Sequence, residues 1–159
     1  MALQFDPNLP GLIEGNITSV IVLDPENVPN HVLDPTKPFD VEVTWSFSGS
    51  IFPVWLTALG GNFVVSVYAE SVGDGPELLV ASNSSVAALP PHASYSATMT
   101  VPANTLQEGN PASNVSGIYK LVVSVFLDST IGPSCMRFRA TSGAMSGQNA
   151  SSNASREQV

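Results

Sequence analysis

The stretch from Ser116 to Leu127 constrains this chain more than any other. Ser116 and Gly117 supply a turn, and the residues after them run apolar and β-branched through Val122, Val123 and Val125, which suits a pleated, packed strand. Tyr119 follows the glycine by two residues, and Leu121 follows the tyrosine by two. A strand this long needs strands beside it, so the segment commits the chain to a sheet.

The remaining pattern agrees. Phe39, Val41, Val43, Trp45 and Phe47 alternate with Asp40, Glu42, Thr44 and Ser46, the signature of a half-buried strand. Residues 17–23, 62–70, 78–81, 95–101 and 135–140 read as further strands, and Gly73-Asp74-Gly75-Pro76 turns one into the next as a hairpin. Asp24-Pro25 and Asp34-Pro35 each stop a short extended piece with turn chemistry. Residues 51–59 fit two descriptions: Phe52, Trp55 and Leu56 approximate helical spacing, while the branched and aromatic content suits a strand. With no long helical stripe elsewhere, the expected fold is all-β, an antiparallel sandwich of about seven to eight strands.

Three regions follow: an extended N-terminal arm over 1–15, the sandwich over 16–140, and a flexible Ser/Asn/Gly-rich tail over 141–159. Pro7 and Pro10 forbid a helix in the arm. Its apolar residues Phe5, Leu9, Leu12 and Ile13 must be covered, either by the chain's own sandwich or by a neighbour.

Composition removes several functions. Of 159 residues 43% are hydrophobic, enough for a packed core, yet only 11% are charged. The net charge is −8, and Lys37 is the sole basic residue before Lys120. A cationic track for phosphates is missing, which argues against nucleic acid and anionic lipid as partners. The charge-free run over 43–69 is broken by Ser48-Gly49-Ser50, Pro53 and Gly60-Gly61-Asn62, so it reads as strands with a connection rather than a membrane insertion. The first residues lack the basic and apolar regions of a leader peptide. Cys135 is the only cysteine, which excludes an internal disulfide; beside Met136 it reads as a small buried hydrophobe.

Reactive groups are few. His31 and His92 sit in proline-rich loops outside any recognisable catalytic motif, and no cofactor fingerprint occurs. Asp24, Glu26, Asp34 and Asp40 precede or open a strand, where loop carboxylates can form a calcium cage or simply solvate turns. Trp45, Trp55, Tyr68 and Tyr95, with Asn62 and Asn83, are the residue types of a sugar site, although Trp45 and Tyr95 lie in alternating strands where aromatics serve a core. Trp55 is either an exposed anchor for a glycan or protein, or the buried tryptophan of the fold. The sequons at Asn16, Asn83, Asn114, Asn149 and Asn153 exceed chance only slightly in a chain of this composition.

Gly117, Tyr119 and Leu121 resemble the tyrosine corner of the broad immunoglobulin-like β-sandwich group, which includes bacterial and phage-type forms without a core disulfide. The resemblance implies that Tyr119 is buried with its hydroxyl bonded to backbone in the loop over 110–115. It also implies a binding, spacing or assembly part, since fold alone fixes no chemistry. The leading expectation is a non-catalytic module acting through protein–protein association, as a subunit of a larger bacterial or phage-like assembly. Phe5, Leu9, Leu12, Ile13, Trp55, Arg137 and Arg139 are its candidate contacts, the two arginines either guarding a sheet edge or pairing with acidic patches. A glycan-binding or adhesive module is the alternative, and an enzyme using His31 or His92 the third.

Overall fold

Period-two alternation builds the architecture, because each strand that buries every second residue supplies one face of a layer. In a computed structural model that describes residues 3–6, 8–73, 75, 77–110, 112, 116–132 and 137–147, the element order is β1 (Leu3–Asp6), β2 (Glu14–Leu23), β3 (Val32–Leu33), β4 (Phe39–Ser48), α1 (Phe52–Leu59), β5 (Asn62–Ser71), β6 (Glu77–Ala87), β7 (Ser94–Val101), β8 (Ile118–Asp128) and β9 (Arg137–Gly147). One sheet has the order β2-β4-β7 and the other β1-β9-β8-β5-β6, with β3 also paired to β9. The fold is an all-β sandwich. Each ladder is antiparallel except that of β3 against β9, which is parallel.

The core lies where Val41, Val43, Trp45 and Phe47 of β4 meet Phe63, Val65 and Val67 of β5 and Tyr119, Leu121, Val123, Val125 and Leu127 of β8. Trp45 stands edge-on to Phe63 at 5.4 Å and stacks on Tyr95 at 5.9 Å. Trp45, rather than Trp55, is therefore the fully buried tryptophan. No helix among the described residues is long and apolar enough to cross a membrane.

Four expectations change. Residues 51–59 form a helix, not an eighth strand: Pro53 fits its first turn, Phe52, Leu56 and Leu59 share the buried side, and Gly60, with φ of 57°, ends it. The arm takes its own-sandwich alternative and is not a separate region over 1–15, because β1 pairs with β9 from Leu3↔Ala140 to Asp6↔Arg137 and β2 begins at Glu14. The tail expected from 141 begins inside β9, which continues to Gly147 because the start of β8 needs ladder partners, Ile118 taking Ser146 and Lys120 taking Ala144. And β9 is an interior strand between β8 and β1, so Arg137 and Arg139 guard no edge. Cys135, Met136 and the sequons at Asn114, Asn149 and Asn153 lie outside the described residues.

Tyr119 is fully buried, as its spacing implies, but its hydroxyl reaches Gln107 instead of 110–115. It donates to the Gln107 carbonyl and accepts from the Gln107 N–H, both at 3.0 Å. This double bond ties the long connection between β7 and β8 to the start of β8. Tyr119→Phe should lower unfolding free energy by about 1–2 kcal/mol, because the part-buried N–H and C=O of Gln107 both lose their partner; urea melts with an unchanged m-value would check it.

Candidate interaction surface

The loops at one end of the sandwich differ in chemistry from those at the other. Turn 9–13 is closed by the Ile13 N–H donating to Leu9 O at 2.9 Å, and is attached to the entry of α1 by Ser50 N–H to Gly11 O at 3.1 Å and Ile51 N–H to Leu12 O at 3.2 Å. Gly49 permits this approach: a Cβ there would overlap the Leu12 carbonyl. At the other end of α1, Thr130 gives both its N–H and its hydroxyl to Leu59 O, at 3.1 and 3.0 Å. The connection between β6 and β7 joins the same end through Ala88 N–H to Gly61 O and Phe47 N–H to Ala93 O.

These four segments, 8–13, 49–61, 88–93 and 129–132, contain no Asp, Glu, Lys or Arg. They expose Leu9, Leu12, Ile51, Val54, Leu89 and Ile131, with Val54 at 73% and Ile131 at 71%. Trp55 lies half-buried beside them, packed on the core from α1. At the opposite pole the turns carry Asp24, Glu26, Asp34, Lys37 and Glu108. Exposed apolar side chains from segments at one end make this pole the candidate interaction surface.

The expected contacts divide accordingly. Leu9, Leu12 and Trp55 gather at this apolar pole. Ile13 is buried at 2% exposure, and Phe5 is half-buried against Phe47 at 6.4 Å, so both serve the fold. Arg139 lies opposite Ser124 in the ladder with β8, where Glu70 pairs with it at 3.6 Å and with Lys120 at 3.7 Å. The Arg137 side chain lies outside the described residues, although its backbone pairs with Phe126. Ile51, Val54, Leu89 and Ile131 were not singled out from sequence; the charge-free run through 43–69 was the available signal for the first two.

The calcium cage does not assemble. Asp24 Oδ1 accepts from the Glu26 and Val28 N–H groups at 2.9 and 3.0 Å, and Asp34 Oδ1 accepts from the Thr36 N–H and hydroxyl at 2.9 and 2.6 Å. Asp40 projects from β4 on the opposite side from buried Val41, and no three carboxylate, histidine or cysteine groups converge among the described residues. Asp24 and Asp34 hold turns together instead. The Val28 N–H chiefly keeps the Asp24 carboxyl below its ordinary 3.8, and the Thr36 hydroxyl does so for Asp34. A lowered folded pKa stabilises above the unfolded value and fades as pH falls through the folded one. Melting temperature should therefore drop as pH falls below about 3.8, with a shallower drop for the Asp24→Asn, Asp34→Asn double variant.

The aromatic residues considered for sugar are dispersed. Trp45 and Tyr95 are in the core, Trp55 is on α1, and Tyr68 lines a shallow depression of about 350 Å³ with Glu77, Val122 and Arg139 on the outer sheet face. Asn83 Oδ1 is engaged by the Ser85 N–H and hydroxyl. His31 and His92 are both exposed, and neither lines that depression or the one beside Asp24 and Asp34. No family model matches this chain, and no curated protein matches it.

Proposed function

We propose that this chain is an immunoglobulin-like, non-catalytic module that works by protein–protein association, as a subunit of a larger assembly, and that its apolar pole is the docking surface. The observation that carries the reading is the uncharged pole itself, six exposed large hydrophobic side chains drawn from four separate segments. The immunoglobulin-like part is supported by β2-β4-β7 facing β9-β8-β5-β6 and by Tyr119 fastening the loop before β8.

Burying one such side chain is worth about 1.5–3 kcal/mol, so losing it weakens a contact tenfold or more. A photo-cross-linking residue in place of Val54 should trap a protein partner in the source cells, and Leu12→Asp in the same chain should abolish the adduct. The same residue in place of Thr36, at the charged pole, should trap none. Absence of any protein adduct from either Val54 or Ile131 would defeat the reading.

A further inference from the structure

The strands that end a sheet expose unpaired backbone N–H and C=O groups, and proteins blunt them with short length, charge, proline or bulges. Most outer strands here carry such a device. β1 spans four residues and β3 two. β6 begins with Glu77 and shifts register twice against β5. β2 begins with Glu14 and shifts once against β4.

β7 has none of them. Its eight residues include no charged side chain and no proline, and its ladder with β4 runs unbroken from Phe39↔Val101 to Ser46↔Ser94. Its burial alternates perfectly, with Tyr95, Ala97, Met99 and Val101 inward and Ser94, Ser96, Thr98 and Thr100 exposed. β6 runs beside it in the other sheet but forms no ladder with it, and among the described residues β7 has no backbone partner other than β4. Beyond β4, the strand therefore offers a straight edge to another strand.

We propose that the occupant is the β7 of a second copy, paired antiparallel about a two-fold axis, so that two three-stranded sheets join into one. Self-pairing suits this strand because it is uncharged: no like charges meet across the axis, whereas a self-paired charged edge must bring them together. Side chains must stay in phase, inward opposite inward. Two in-phase registers centre the strands on each other, one with Thr98 opposite Thr98 and the other with Ser96 opposite Thr98. Both line the outer side with Ser–Thr or Thr–Thr pairs, which favour cross-strand hydrogen bonding. A two-fold contact uses the edge completely and closes, so assembly through β7 stops at the dimer. This pairing is independent of the apolar pole and stands or falls without it.

Solution mass across a dilution series tests it on the intact chain. The native protein should pass from monomer to dimer with rising concentration and go no further through this edge. Ser96→Lys with Thr98→Lys places lysine opposite lysine in either register and should yield monomer, as should the corresponding double glutamate variant. An equimolar mixture of the two should recover a one-to-one dimer, which a misfolded variant cannot do; circular dichroism of each alone confirms the fold. The pole variant Leu12→Asp should dimerise like the native protein. A native protein that stays monomeric throughout, a lysine variant that still dimerises, or a mixture of folded variants that stays monomeric would overturn the proposal.

Discussion

Trp45→Ala should remove about 3–5 kcal/mol of stability, the range for emptying a large aromatic site from a packed core. The indole is wholly buried in the middle of β4 and touches both layers, edge-on to Phe63 of β5 and stacked on Tyr95 of β7. Such ring pairs add roughly 0.5–1.5 kcal/mol beyond the area they bury. Against a total stability of about 5–15 kcal/mol, the variant should be on the margin of folding. Trp45→Phe is the informative companion. Trp45 Nε1 is buried with no hydrogen-bond partner among the described residues, so phenylalanine loses volume but also removes an unpaired N–H. Its cost should stay well below that of the alanine variant, because most of the ring volume is kept. Urea melts of the two variants measure the difference; equal, small losses would mean that the layers are not centred on this ring.

How much of this arrangement the residues announce varies with the element. β4 was readable because one of its faces is dry and the other wet, which forces Phe39 through Phe47 into strict alternation. Its partner β7 was readable for the same reason. α1 was not, because eight residues are too few for a stripe to separate from a strand, and it is apolar beyond its buried side, with Val54 exposed. The second half of β9 reads as tail because 141–147, Met145 apart, is made of small or polar residues. Ladder hydrogen bonds join backbone to backbone, so Ala144 and Ser146 can pair with β8 whatever their side chains.

The apolar pole is legible only in part in the sequence, and topology is the reason. Leu9 and Leu12 stood out as apolar residues in a proline-bearing segment. Sequence spacing could not show that the turn they share buries Ile13 while leaving both exposed. Leu89 and Ile131 lie in loops separated from α1 by strands, and only the return of β6 and β8 to the same end brings them beside it. The arginines failed for a related reason: the last strand of a chain is often an edge, but here β1 pairs onto β9 and makes it interior.

Gly117→Ala should cost about 3 kcal/mol, a large loss for one added methyl group. Two effects combine. Gly117 has φ of 68°, in the left-handed region where an L-residue pays roughly 1–2 kcal/mol. A Cβ there would also overlap the Gly109 N and lie 2.8 Å from the Gly109 Cα, in a spot where backbone meets backbone and no side chain can yield; overpacking of this kind adds about 1–3 kcal/mol. Gly11→Ala separates the two, since φ there is 74° but nothing lies within 4 Å of the added carbon. It should lose only the conformational share. The excess at Gly117 measures how tightly residues 108–109 are pressed onto the entry to β8, two residues after Gln107 receives Tyr119. If the methyl group pushes that connection away, the Tyr119 hydroxyl loses Gln107 in the same step. Adding Tyr119→Phe to Gly117→Ala should then cost less than it does alone, by about 1 kcal/mol of coupling in a double-mutant cycle. Strict additivity, or a Gly117→Ala no costlier than Gly11→Ala, would show that the glycine and the tyrosine hold the corner separately.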